Sequence, residues 1–491
     1  MEHGWTNRTG RLVVSADRRR LAFDDGEPFL YLGDTGWSVF QRLTREEAED
    51  YLRTRSRQGF TVIQAVALAE MDGLRAPNRY GHLPLVDCDP TRPDPSGYWD
   101  YVDWVIECAA RHGLYVALLP TWGDKVVLKW GAGPVVFTPD NAAAYGRWLG
   151  KRYARADNLL WVLGGDRYAS PAHEEAGKAW GRSVQGDDCP ADDGAALHGS
   201  SAASETTPDV LDVWRSLARG LQEGDGGKHL ITYHPQGPGS SADAFHEEPW
   251  LAFDMLQTGH ACGVDNPLSY RMVEHTRALQ PTKPVLDGEP RYESIHFLQP
   301  DAPPGWYDDA DTRQAAYWSL LAGACGQTYG CHGIWNFERE PPPLPEEMQC
   351  KTGRKSVALD WRSSLELPGA RQFALVRKLL EAIDWFAGKP CKPFVEMGGK
   401  KPAEAFTALA CPDCLAVYFP WRAFGRIRSD FVRPEWTHGL WLNPATGDAE
   451  PGPGRGVCTS EGVCHAARGD RVLLLGSPET LARIEDRFGQ E

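Results

Sequence analysis

Short apolar runs alternate with amphipathic stretches along most of the chain. The runs FLYLGD from Phe29, FTVIQAVAL from Phe60, LYVALLP from Leu114, NLLWVLGG from Asn158, HLITYHP from His229, DMLQTGH from Asp254, PVLDGE from Pro284 and TYGCHGIWNF from Thr328 predict eight strands. Between them, TREEAEDYLRTRSRQG has a Thr44 cap with Glu47 three residues on, and GYWDYVDWVIECAARHG, TPDNAAAYGRWLGKRYAR, DVLDVWRSLARGL, PLSYRMVEHTRAL and TRQAAYWSLLAGACGQ repeat apolar residues at helical spacing. Strand and helix in strict alternation require a parallel sheet, and eight such units over about 350 residues predict an α/β fold of the (β/α)8 TIM-barrel type.

An N-terminal β-hairpin precedes the repeats, and a final long helix, about Leu367 to Phe386, closes them. From about Lys389 the pattern changes to short alternating runs such as CLAVYFPW, HGLWLNP and DRVLLLG, bounded by Gly, Pro and Asp. The expected division is therefore a (β/α)8 barrel over 1–387 and a small antiparallel β-sandwich over 388–491. A polar, small-residue insertion runs from Ser183 to Asp209, and REPPPLPEEMQCKTGRK after Glu338 reads as irregular.

The 67 acidic residues outweigh 52 basic ones, giving a net charge of −15, which argues against a nucleic-acid partner. Neither a secretion signal nor a run long enough to span a membrane is visible, so a cytoplasmic protein without a membrane partner is expected. The twelve cysteines are scattered, most of them in apolar surroundings such as those of Cys108 and Cys325, and suit reduced thiols. Cys411 and Cys414 form a CxxC, but Cys458, Cys464 and His465 follow at a spacing unlike that of a zinc ribbon.

In a barrel the reactive groups stand at the carboxyl ends of the strands, so a charge directly after an apolar run is a candidate for the pocket mouth. Asp166, after Gly164 and Gly165, and Glu289, after Gly288, both occupy such positions. Strand alternation puts Asp287 on the same face as Glu289 but deeper, in a supporting place. Two acids across a barrel mouth are what glycoside hydrolysis needs, one to protonate the leaving oxygen and one to attack or to activate water. The structural alternative makes Asp166 a helix cap or a partner of Arg167, and Glu289 a partner of Arg291. Trp37, Trp122, Tyr292 and Trp335 supply aromatic faces for a sugar ring, while Asp34, Gln64, His234, Gln257, His260 and His332 supply hydrogen-bonding ends. This mixture predicts a carbohydrate substrate bound without metal or cofactor.

The stretches GDTGW at Gly33, WVLGGDRY at Trp161, ITYHPQGPGSSADAFHEEPWLAFDMLQTGH from Ile231, KPVLDGEPRYE from Lys283 and YWSLLAGACGQTYGCHGIWNF from Tyr317 resemble the apiosidase-like glycoside hydrolases of glycoside hydrolase family 140. The resemblance spans most of the chain, includes SSLELPGARQ before the final helix, and extends to the small β domain that carries a collagen-binding label in that family; a packing role beside the barrel is expected for it here. Carried over by motif, Asp166 would be the general acid/base and Glu289 the nucleophile of a retaining enzyme, and the activity implied is release of terminal apiose from plant glycans. Two rivals make different demands: a non-catalytic carbohydrate-binding barrel would hold the acids more than about 10 Å apart, and a metal-dependent hydrolase would gather His234, His260 and His332 around Asp166.

Overall fold

The computed structural model describes residues 7–185, 207–260, 267–296, 305–341, 358–397, 405–420, 424–461 and 469–489, with a few isolated positions between them. Most of the insertion from Ser183, most of the proline-rich segment and His465 lie outside the described residues. Three short antiparallel strands come first: β1 (Leu12–Val14), β2 (Leu21–Phe23) and β3 (Pro28–Phe29).

Eight parallel strands follow: β4 (Tyr31–Thr35), β5 (Val62–Val66), β6 (Tyr115–Leu119), β7 (Leu159–Gly164), β8 (Ile231–His234), β10 (Asp254–Gln257), β11 (Val285–Asp287) and β12 (Gly326–Tyr329). With the two-residue antiparallel β9 (Gly239–Ser240) they form one sheet in the order β8-β7-β6-β5-β4-β12-β11-β10-β9. The sheet curls until its ends almost meet. Ala252 N–H donates to Ile231 O at 2.8 Å and Thr232 Oγ1 to Phe253 O at 2.7 Å, so β8 lies beside the chain entering β10. The result is a nearly closed, barrel-like sheet.

Both faces of these strands are buried, as parallel strands under a helical layer must be. Tyr31, Val62, Val66, Tyr115, Ala117, Leu119, Leu160, Val162, Met255 and Leu286 pack inward, where Leu12, Leu21, Phe23 and Phe29 from β1–β3 plug the amino-terminal end. The alternate residues Leu32, Ile63, Val116, Leu118, Trp161 and Leu163 pack outward against the helices. The helix Arg45–Arg57 begins as its sequence requires: Thr44 Oγ1 accepts from Glu47 N–H at 3.3 Å, and Glu47 Oε2 accepts from Thr44 N–H at 3.0 Å. The eighth run behaves differently from expectation. Its strand ends at Tyr329, and His332–Trp335 form a helical turn, because Gly330 and Gly333 interrupt the alternation a strand needs.

Asp34 shares the parity of Leu32 and so faces the helices. Its Oδ2 lies 2.7 Å from Arg55 Nε and accepts the Tyr51 hydroxyl at 2.6 Å, with both charged side chains fully buried. Removing one partner of a buried pair strands the other charge. Arg55→Met is therefore expected to lower unfolding free energy by about 3–5 kcal/mol, checked by denaturant titration; a loss under about 1 kcal/mol would contradict the pairing.

The carboxyl-terminal region holds two antiparallel sheets, one of six strands and one of three. In the larger, the strands Cys414–Phe419 and Arg471–Gly476 are central. Leu415, Val417, Phe419, Leu473 and Leu475 share a core with Ile427, Trp436 and Cys458. On the other face Ala416, Tyr418, Val472 and Leu474 pack against barrel helices. There Tyr317 and Tyr418 stack at 4.9 Å, and Arg313 grips Asp470 with two bonds of 2.8 and 2.9 Å. Cys411 and Cys414 face one another across a hairpin turn, Cys411 N–H donating to Cys414 O at 2.9 Å, and both are buried free thiols.

Candidate active site

The apolar run of β7 stops at Gly164 because the chain must turn between two neighbouring strand ends. Gly164, Gly165 and Asp166 take φ of 87°, 99° and 58° in succession. A Cβ on Gly164 would stand 2.2 Å from His234 O, and one on Gly165 2.8 Å from Gly123 N, so only glycine fits at either position. The turn delivers Asp166 in the left-handed region, a conformation that costs an L residue about 1–2 kcal/mol and recurs at functional sites.

Two hydrogen bonds fix what faces Asp166. Its backbone N–H donates to His234 Nδ1 at 3.2 Å, which places the ring proton of a neutral His234 on Nε2. His234 Nε2 lies 2.7 Å from Glu289 Oε2, and His260 Nε2 lies 3.4 Å from Glu289 Oε1. One imidazole thus spans from the Asp166 turn to the Glu289 carboxylate. Gln257, at the end of β10, donates a side-chain hydrogen bond to Asp166.

The two acids titrate in opposite directions. Burial and then the nearby Glu289 charge push Asp166 up to about 6, against the pull of Arg167, His234 and the Gln257 hydrogen bond. Burial also acts to raise Glu289, but the hydrogen bonds from His234 and His260 outweigh it and bring the group down to about 2. At weakly acidic pH the site therefore holds one protonated acid and one carboxylate.

Aromatic rings enclose the pair. Trp37 lies 5.3 Å from Trp122 and 5.4 Å from the His234 ring, and its Nε1–H donates to Tyr292 Oη at 3.1 Å. Tyr292 packs 4.4 Å from His260, and its hydroxyl is hydrogen-bonded with Glu289 and with Thr35. Trp335, half-buried, packs against both the Trp37–Trp122 and the Tyr292 clusters. Gln64 lies at the floor, where Nε2 donates to Gly288 O at 2.8 Å and Thr328 Oγ1 at 2.9 Å, bracing the turn that carries Glu289. His332 is half-buried at the start of the helical turn after β12.

Asp34 is not brought to this cluster; its pairing with Arg55 places it outside the barrel wall. Asp287 also departs from the alternation argument. Gly288 breaks the strand, so Asp287 faces outward, accepting from Ser319 Oγ at 2.6 Å and Thr258 Oγ1 at 3.1 Å, while Glu289 turns inward. The Arg167 guanidinium donates to the carbonyls of Val127, Asp166 and Trp130, and Arg291 reaches Gln314 Oε1 and Asp311. Arg167 makes no ion pair with Asp166 and acts on its carboxyl only through space. Among the described residues, metal-ligating atoms of three side chains converge within 4.8 Å at Glu49, Cys108 and His112, on outer helices, and the histidines of the site form no such group with Asp166.

A second charged group escaped the sequence reading. Lys125 Nζ contacts both Asp124 oxygens at 2.8 and 2.7 Å with both side chains buried, and Glu70, raised to about 8 chiefly by burial, lies within electrostatic reach of Asp166. The signal was present in AEMDG and TWGDK, which also place charges just past an apolar strand.

The sequence profile of the family described as "Apiosidase-like, catalytic domain" matches residues 15–387. A structure titled "Glycoside hydrolase" is 27% identical, with a TM-score of 0.76 over 97% of this chain and 98% of that one. A glycoside hydrolase family 5 structure from Bacteroides vulgatus is likewise 27% identical, with a TM-score of 0.76 over 97% and 94%. A third structure, 13% identical with a TM-score of 0.63 over 96% and 83%, shares the fold. No curated protein matches the chain.

Proposed function

The chain belongs to the apiosidase-like family and is a glycoside hydrolase, and from that premise we propose that it is a retaining exo-glycosidase of glycoside hydrolase family 140. It releases a terminal apiose-like pentose from plant-derived glycans or glycosides. Residues 1–387 act as a (β/α)8 catalytic unit, and 388–491 pack beside it as an accessory β-sandwich. The observation that carries this reading is the His234 ring that joins the two acids, Nδ1 accepting from Asp166 N–H at 3.2 Å and Nε2 lying 2.7 Å from Glu289 Oε2, with burial and the Glu289 charge raising Asp166 and the two imidazoles lowering Glu289.

In the first step Glu289 attacks the anomeric carbon while protonated Asp166 gives its proton to the departing oxygen. In the second, Asp166 takes a proton from water, which displaces Glu289 and regenerates both groups. His234 and His260 keep the nucleophile ionised, Gln257 orients the acid, and Trp37, Trp122, Tyr292 and Trp335 hold the ring. Gln64 and His332 complete the sugar contacts.

The pH dependence follows from the two directions. The nucleophile must be ionised, so activity is lost as pH falls through the Glu289 value of about 2; the acid must be protonated, so activity is lost as pH rises through the Asp166 value of about 6. The expected kcat/KM profile therefore has its alkaline limb near pH 6, measured on alkyl glycosides, whose leaving oxygen needs the proton, that vary in the sugar alone. An alkaline limb above about pH 8 would contradict the acid assignment. In the same panel the apioside is expected to be the best substrate, and faster turnover of a hexoside would overturn the sugar assignment.

A further inference from the structure

Six large apolar side chains stand exposed among the described residues, and five of them, Met71, Tyr80, Leu128, Val135 and Leu359, sit on loops that follow β5, β6 and β12 at the pocket end of the sheet. Scattered apolar groups need no explanation, but a concentration on one rim does.

Two of these loops are tied to the acid or to each other. Arg167, next to Asp166, donates from Nε to Val127 O at 3.0 Å and from Nη2 to Trp130 O at 2.5 Å, with its guanidinium carbon 4.0 Å over the Trp130 ring. These two bonds bracket Leu128, so the backbone under this 56% exposed side chain is fastened to the turn that presents Asp166. Leu128 and Val135 flank Gly133, whose N–H is held by Asp124 Oδ2 at 2.9 Å. Arg75 Nη2 donates to Ala132 O at 3.3 Å and thereby joins the loop of Met71 to the same edge. The nearby charges are paired, Arg75 with Asp72 at 2.7 Å and Lys129 with Glu174 at 3.2 Å.

The acid of a glycosidase protonates the oxygen that leaves, so whatever lies beyond that oxygen lies on the acid's side. The sugar occupies the Glu289 side, among His234, His260 and Tyr292. We propose that Leu128 and Val135, side by side at Gly133, form an aglycone subsite for an apolar, planar alcohol, so that the enzyme prefers small aryl glycosides to sugar-linked chains. Aliphatic side chains cover the face of a flat apolar ring and take it out of water, whereas a sugar in the same place would keep its hydroxyls in solvent and gain little from them. The proposal rests on Asp166 being the acid.

The test uses 2-naphthol, an aglycone without its sugar, titrated calorimetrically into the full chain. The expected result is binding that is weakened at least about tenfold in Leu128→Ser/Val135→Ser, with 2-naphthol acting as a competitive inhibitor of 4-nitrophenyl apioside hydrolysis. Circular dichroism melting confirms that the double variant is folded. Equal affinity in wild type and the double variant would overturn the proposal. So would a dimer that the double variant dissolves in sedimentation velocity, since a second copy would then be the rim's occupant. Naphthol binding without apioside turnover would instead refute the sugar assignment and leave the rim standing.

Discussion

Glu289→Gln is expected to lower kcat by about 10⁴-fold or more while the protein stays folded, the loss that follows when a covalent nucleophile is removed. Glutamine keeps the volume and the hydrogen-bonding length of glutamate but cannot form the glycosyl ester. It also removes the charge that His234 and His260 converge upon at 2.7 and 3.4 Å, so the two imidazoles lose their common partner. Steady-state kinetics on a 4-nitrophenyl glycoside, with unfolding monitored alongside, checks this. A drop of less than about tenfold would remove Glu289 from the chemistry.

Asp166→Asn is expected to cost about 10²–10⁴-fold in kcat/KM on alkyl glycosides, the usual contribution of a positioned proton donor. On 4-nitrophenyl glycosides, whose leaving group departs without help, the loss in the first step should be much smaller. This dependence on the leaving group separates an acid from a residue that merely shapes the pocket. The alkaline limb near pH 6 should vanish with the side chain, since Asp166 is the group pushed up to that value. Equal losses on both substrate types, with the limb retained, would assign the proton to another group. Glu70, also raised by burial and within reach of Asp166, would then be next in line.

Much of this architecture was legible in the chain because parallel strands under helices leave a repeating signature. Short apolar runs, closed within a few residues by glycine, proline or a charge, set seven of the parallel strands to within a few residues. The Thr44 capping box declared one helix start outright. The eighth run extends too far along the chain because Tyr329, Cys331, Ile334, Trp335 and Phe337 keep TYGCHGIWNF rich in strand-forming residues, and only its glycines betray the change to a helical turn.

Site residues were harder for a single reason: parity inside a strand is reliable, but parity across a glycine break is not. Asp34 stands inside β4 and obeys alternation, so Tyr31 on the inner face already implied that Asp34 looks outward. Asp287 and Glu289 straddle Gly288, and the turn there reverses the expected relation between them. The helix Pro171–Gln185 is hard to see in the sequence because alanines make up most of its apolar positions and its last residues run into the polar insertion that opens at Ser183. The pair Asp124–Lys125 illustrates a further limit. Adjacent opposite charges read as a solvated surface, and nothing local says that the barrel end will bury both.

The central claim is that Glu289 bonds covalently to the sugar while Asp166 serves the leaving oxygen. The most direct test is to react the enzyme with an activated 2-deoxy-2-fluoro apioside, whose second step is slow, and to locate the label by peptide mass spectrometry. The account predicts a single fluoroglycosyl ester on Glu289. A label on Asp166, or turnover with inversion and no label at all, would contradict it.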